Sequence, residues 1–249
     1  MLLAVALSAS ATAQNFSDFL VRVTSAPEQR RQFLVDSFLT LVPGYPFLEN
    51  DTTVHVLYTG AAEDVALTGD HNNWNDGNAP LERLSTTNLW YRSETFESDA
   101  RLDYKLIVDQ NWILDPRNPR TIAGGYGPNS ELRMPAYQPP GEILPQQNAP
   151  HGRIVETQFT SAALMNSRDA SIYLPAGYDQ SGTSYPVVLF HDGPDFLSLA
   201  RTATILDNII YEKRIPPCIA VFLPAVNRSA EYAGSQRDAF ARFVVDEVM

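Results

Sequence analysis

The apolar positions of this chain change their spacing twice. From residue 15 to 41 they repeat as on a helix: Phe16, Phe19, Leu20 and Val23 share one face, and after Pro27 the pattern restarts with Phe33, Leu34, Phe38 and Leu41. Two helices are predicted, stopped by Pro43, Gly44 and Pro46. From Asp51 the period becomes two. Val54, Val56 and Tyr58 alternate with His55 and Leu57, and short apolar runs follow at 65–68, 89–91 and 102–108, parted by Gly, Asn, Asp and Pro clusters. Such spacing predicts a small antiparallel sandwich. His55, inside an alternating strand, reads as a satisfied surface or half-buried residue rather than a ligand.

Residues 137–150, YQPPGEILPQQNAP, hold four prolines and one glycine with little periodicity, as a linker or strap does. A second architecture follows. IVETQFTSA (154–162) and DASIYLP (169–175) read as an antiparallel hairpin at a sheet edge. YPVVLF (185–190) is apolar without alternation, which suits a parallel-sheet strand covered on both faces. A helical pattern at Leu199, Ala203, Leu206, Ile209 and Ile210, closed by Pro216 and Pro217, separates it from the strand CIAVFLP (218–224). Strand, helix and strand in that order make a parallel crossover. A last helix over 236–248 carries Phe240, Phe243, Val244 and Val248 on one face. The YPVVLF strand runs into HDGP (191–194), and the C-terminal ends of strands are where open α/β sheets place ligands and reacting groups.

Composition narrows the function. With 249 residues, 44% of them hydrophobic, the chain can build one large core or two ordinary ones. A net charge of -11 with no basic run argues against nucleic acid and anionic membranes as partners. No stretch reaches the roughly 18 apolar residues of a membrane span. The single Cys218 lies in an apolar run and is expected in the core, so no disulfide forms within the chain. Residues 1–13, MLLAVALSASATA, pair an apolar stretch with a small-x-small ending, the pattern of a signal peptide cleaved before Gln14. A periplasmic or secreted destination is expected.

VALTGDHNNWN (65–75), DYKLIVDQNWILDPRNPR (103–120) and GPNSEL (127–132) together resemble the immunoglobulin-like glycogen-binding and branching-enzyme N-terminal domain. In that family the positions matching Trp74, Lys105, Trp112 and Asn129 contact α-glucan. The resemblance makes these four the candidate carbohydrate-binding residues, indole faces stacking on sugar rings. Relatives that bind no glycan keep the tryptophans and the Asp115-Pro116 turn as structural elements. That structural role is the one we favour for this chain, since tryptophans often serve small cores. Side-by-side exposure of Trp74 and Trp112 would decide for sugar.

HGRIVETQFTSAALMNSRDASIYLPAGYD (151–179), VVLFHDGPDF (187–196), IIYEKRIPP (209–217) and NRSAEYAGSQ (227–236) resemble the esterase branch of the α/β-hydrolases, which includes enterochelin, feruloyl and acetylxylan esterases and the mycolyltransferase antigens. An immunoglobulin-like domain ahead of such a hydrolase is similar to the enterochelin esterase arrangement. The resemblance implies a serine nucleophile in Gly-x-Ser-x-Gly, then an acid and a histidine downstream. No serine here sits in that pattern, and His55, His71, His151 and His191 all precede the place it would occupy. No catalytic residue is therefore assigned, and the sequence reads as an esterase ending before its catalytic elbow. The loop after the third strand supplies one oxyanion donor in that family. Pro194 has no N–H, which leaves Asp192, Gly193 and Asp195 as the oxyanion-loop candidates. His191 and Asp192 serve more simply to order that loop. His191, Arg228 and Glu231 are candidates for the pocket rim, with a solvated or structural Arg228–Glu231 pair as the plainer alternative.

No metal-ligand spacing and no dinucleotide loop occurs, so no cofactor and no metal are expected. The expected fold is two domains, an all-β immunoglobulin-like sandwich followed by the N-terminal half of an α/β-hydrolase. Its parts are a signal peptide (1–13), a helical leader (14–48), the sandwich (49–136), a linker (137–150) and the partial hydrolase (151–249). The expected activity of the whole protein is hydrolysis of a small-molecule or glycan-linked ester by a serine esterase, with this chain inactive alone and its third strand an open apolar edge. Two rivals remain: a carbohydrate-binding protein with a degenerate hydrolase half, and a noncatalytic scaffold.

Overall fold

The computed structural model describes residues 15–182 and 184–249. Residues 1–13, expected to be a signal peptide, lie outside the described residues. The chain divides into two compact units, between Gln138 and Pro139.

The first unit opens with helices α1 (Phe16–Thr24) and α2 (Glu28–Leu41). Asn15 caps α1 through its side-chain oxygen on Asp18 N–H, 3.2 Å away. Two antiparallel sheets follow. One has the order β1-β2-β5-β4, from β1 (Phe47–Leu48), β2 (Thr53–Thr59), β4 (Glu82–Arg83) and β5 (Leu89–Thr95). The other has the order β3-β6-β9-β8, from β3 (Val65–Gly69), β6 (Arg101–Val108), β8 (Thr121–Ile122) and β9 (Asn129–Arg133), with β7 (Asn111–Ile113) also paired to β6. Val54, Val56, Val65, Leu67, Trp90, Tyr104, Leu106 and Leu132 fill the space between them. Period two places these residues on the inner faces.

The outer face of β2 is covered as well. Phe16, Phe19, Val23, Val35 and Phe38 of the helices pack on Phe47, Leu57, Leu84 and Leu89. This corrects the expectation for His55, which is neither at the surface nor half-buried: its exposure is 4%, and its ring stacks on Phe16 at 4.2 Å. Alternation along β2 does not show that the second face also has a lid, because the lid comes from residues far away in sequence. The histidine is satisfied, with Nδ1 2.8 Å from Ser93 Oγ and Nε2 3.2 Å from Glu49 Oε2. Asp115, buried in the turn at Asp115-Pro116, accepts the Tyr104 hydroxyl at 2.7 Å and donates its N–H to Ser130 Oγ at 2.8 Å. Burial raises the Asp115 carboxyl above its usual range.

The second unit is built on a four-stranded mixed sheet of order β10-β11-β13-β12. Strands β10 (Arg153–Ser161) and β11 (Asn166–Leu174) form the edge hairpin, paired over nine residues each. A single turn, α3 (Tyr178–Ser181), precedes β12 (Val187–His191). From there α4 (Gly193–Ser198) and α5 (Thr202–Tyr211) cross to β13 (Ile219–Leu223), which lies parallel to β12 with Val187 opposite Ile219 and His191 opposite Leu223. Among the described residues β12 pairs with β13 alone, so it is an edge strand. That revises its expected cover: Val187 and Val188 are each 41% exposed.

Helices lie on both faces of the sheet. Leu206 of α5 packs with Tyr173, Cys218, Ala220 and Phe222 on one. On the other, Phe240 of α7 (Arg237–Arg242) and Phe243 pack with Ala170, Val221 and Leu223. A short helix, α6 (Arg228–Tyr232), precedes α7. The expected single final helix is two pieces, since α7 widens into a π-helical stretch at Phe243–Val248. Residues 137–150, expected to be a linker or strap, are held by α5 through side-chain hydrogen bonds. Asn208 Nδ2 of α5 donates to the carbonyls of Glu142 and Leu144, both at 2.8 Å, and Asp207 accepts Gly152 N–H at 2.8 Å. The apolar sparsity of 137–150 hides this, because its hold is polar and reaches main-chain atoms.

Candidate functional site

The first candidate lies at the C-terminal end of β12. The strand delivers His191 and Asp192 to a cavity of about 600 Å³, which Arg228, Glu231 and Tyr232 of α6 and Arg237, Phe240 and Val244 also line. Asp192 sits in the left-handed region, with φ 53° and ψ 37°, at the position just before α4. Its carboxylate accepts Arg228 Nε at 3.0 Å and the Tyr232 hydroxyl at 3.1 Å. Its N–H donates to Tyr232 Oη, also at 3.1 Å. Burial pushes the Tyr232 phenol up, and the Asp192 carboxylate beside it acts in the same direction.

Of the three oxyanion-loop residues, two have N–H groups already engaged. Asp192 N–H is held by Tyr232, and Asp195 N–H donates to Asp192 O at 3.0 Å in the first turn of α4. Gly193 is the one whose N–H has no such bond among the described residues. A side chain at Gly193 is excluded, because a Cβ there would lie 2.3–2.6 Å from main-chain atoms of Phe222 and Leu223. The glycine therefore lets the loop close onto β13.

The rim candidates separate. His191 borders the cavity, its ring 5.4 Å from that of Tyr232. Arg228 and Glu231 do not pair with each other as the plainer alternative supposed. Arg228 holds Asp192, while Glu231 lies inside, at 1% side-chain exposure, in an ion pair with Arg168 of β11. Arg168 Nη1 and Nη2 reach the two Glu231 oxygens at 2.9 and 3.1 Å, and its guanidinium lies 4.7 Å from the Phe243 ring centre. Glu231 is a buried anchor in the cavity wall, because one turn of helix sends adjacent residues in different directions. Sequence reasoning assigned no role to Arg168 or Tyr232. A charged residue in an otherwise half-apolar strand was the available signal for the first; for the second it was the Arg-x-x-Glu-Tyr spacing of residues 228–232, within the stretch that carries the esterase resemblance.

The second candidate lies in the first unit. Trp74, Lys105, Trp112 and Asn129, together with Asp70, Asp103 and Tyr126, line a cavity of about 790 Å³. Trp74 and Trp112 face one another nearly parallel, with ring centres 6.4 Å apart and planes 11° apart. Trp112 is 47% exposed. Trp74 Nε1 donates to Asp70 Oδ1 at 3.0 Å, and Asn129 Nδ2 donates to Asp103 Oδ2 at 3.1 Å. Neither indole belongs to the sandwich core, which uses Trp90. The four residues are thus brought together around one cavity, with Trp112 exposed and Trp74 partly buried, so the side-by-side exposure named above is met by one indole of the two. Among the described residues no cluster of His, Cys, Asp and Glu could hold a metal ion, and no helix is long and apolar enough to cross a membrane.

Comparison with known proteins agrees with both halves. Residues 161–248 match the family described as Putative esterase, and residues 44–137 match carbohydrate-binding module 48, the isoamylase N-terminal domain. Among solved structures, the ferric enterobactin esterase from Salmonella typhimurium is 18% identical with a TM-score of 0.61, covering 79% of this chain and 59% of that one. The enterobactin esterase from Shigella flexneri, solved in the presence of enterobactin, is 20% identical with a TM-score of 0.59, covering 80% of this chain and 60% of that one. The chain shares their fold, a β-rich module with an esterase-like domain, and spans about three-fifths of their length.

Proposed function

We propose that the protein is an exported serine esterase acting on a small-molecule ester of the kind its enterobactin esterase neighbours are named for, residues 151–249 forming the first part of the catalytic domain. One observation carries this: a parallel β12–β13 pair brings the 191–193 loop to the end of the sheet beside the 600 Å³ cavity. A serine on a sharp turn, from polypeptide beyond these 249 residues, attacks the ester carbonyl while a histidine takes its proton. That proton then leaves with the alcohol, and water repeats the sequence on the acyl-enzyme. Gly193 N–H and the N–H following the serine hold the oxyanion. The test sets the 249-residue chain beside the longer gene product, using p-nitrophenyl acetate and a fluorophosphonate probe. The longer product is expected to turn over and to carry label on one serine, and the chain to do neither. An unlabelled longer product overturns the proposal.

A second reading has its own observation, the parallel tryptophan pair, of which Trp112 is half-exposed. The cavity around it suits an α-glucan, with sugar faces on the indoles and hydroxyls at Lys105 and Asn129. Retention on amylose or glycogen that vanishes when Trp74→Ala and Trp112→Ala are combined supports it. Retention unchanged in that variant, or none in the parent, refutes it.

A further inference from the structure

On the esterase reading above, on which this inference rests, we propose that Tyr232 is a positioning residue whose hydroxyl clamps Asp192 so that the Gly193 N–H is held in place for the oxyanion. The Gly193 N–H belongs to the peptide plane between residues 192 and 193. Its direction is therefore set by the ψ angle of Asp192. That angle, 37°, goes with a φ of 53°, a left-handed conformation that a residue with a Cβ occupies only at a cost. Something must hold it there.

The hold comes from one hydroxyl used twice. Tyr232 Oη accepts the Asp192 N–H and donates to Asp192 Oδ1, both at 3.1 Å, gripping main chain and side chain of the same residue. Arg228 braces the carboxylate through Nε, 3.0 Å from Oδ2, and lies 5.4 Å over the Tyr232 ring. Helix α6 is itself anchored. Glu231, next to Tyr232, is locked to the buried Arg168, and Asn227 caps the helix on Ala230 N–H at 3.1 Å. From the other side, the main chain at Phe222 and Leu223 closes on Gly193. The loop is thus gripped between α6 and β13, and among the described residues Tyr232 alone reaches the Asp192 main-chain N–H from a side chain. An oxyanion donor works within a few tenths of an ångström, so freedom at Asp192 would cost rate rather than affinity for the ester.

The test is made on the longer, active gene product. Tyr232→Phe keeps the ring and removes both bonds. Its kcat for p-nitrophenyl ester hydrolysis is expected to fall roughly 10- to 100-fold with KM within about twofold, the size of loss a misplaced group produces. Affinity for a phenylboronic acid, which takes the serine oxygen into a tetrahedral anion, should fall by the same factor. A kcat and a boronate affinity equal to the parent's overturn the clamp, even if the thermal midpoint drops, and leave the esterase reading standing. An inactive parent overturns both. Should Tyr232→Phe fail to fold, Arg228→Gln, on an exposed side chain, is measured instead. A severalfold loss of kcat at unchanged KM supports the clamp, and an unchanged kcat overturns it.

Discussion

The Arg168–Glu231 pair offers a stability experiment whose outcome follows from burial. Both side chains are 1% exposed. Arg168 also donates to Pro224 O at 3.2 Å and to Asn166 Oδ1 at 3.1 Å, with Phe240 and Phe243 about its guanidinium. Glu231→Ala leaves that cation in an apolar pocket without its counter-charge. Breaking a buried pair in this way costs about 3–5 kcal/mol, a large share of a domain's ~5–15 kcal/mol. At ~4 °C per kcal/mol the second unit should melt about 12 °C lower or more. The assay separates the units without cutting the chain. All three tryptophans, Trp74, Trp90 and Trp112, lie in the first unit, so their fluorescence reports that unit alone while far-UV circular dichroism follows both. The dichroism transition should split, its lower step moving in the variant, and the tryptophan transition should stay. Arg168→Met with Glu231→Leu removes both charges and should recover most of the loss, since a buried pair is often no better than apolar side chains. A shift below about 3 °C for Glu231→Ala, or a double variant no better than the single, refutes the reasoning.

Two further outcomes follow from burial elsewhere. His55 has its pKa lowered by desolvation beneath Phe16, with Glu49 only partly offsetting this. The folded protein therefore binds the proton less well than the unfolded chain, and the first unit should lose stability as pH falls below 6.5. His71 is shifted the same way by burial, so His55→Gln should keep a pH-dependent tryptophan melt of smaller slope than the parent's; equal slopes in parent and variant refute the assignment. Burial also raises the Cys218 thiol, and the side chain is enclosed by Tyr173, Leu206 and Phe222. A thiol reagent should label it only after denaturation, at a rate set by unfolding of the second unit. Rapid labelling of the native protein would show that the α5 face of the sheet is open.

Local pattern carried much of this architecture. The helical spacing of Phe16, Phe19 and Val23, the alternation of Val54 and Val56, and the unalternated VVLF with its polar tail each depend on neighbours within a few residues, and each became the predicted kind of element. The two family resemblances placed Trp74, Lys105, Trp112 and Asn129 in one set and the 191–195 loop in another, and the first set does gather around one cavity. What the chain's own order could not carry was which groups face each other across long separations. His55 is covered by α1, 39 residues earlier, and Glu231 meets Arg168, 63 residues earlier, rather than Arg228 three residues away. The π-helical widening after Arg242 and the polar fastening of 141–152 also depend on packing partners. Periodicity states which face of an element is apolar. Only tertiary packing states what arrives to cover that face, and that arrival decides which polar groups are buried, which N–H groups stay open, and where a loop is held.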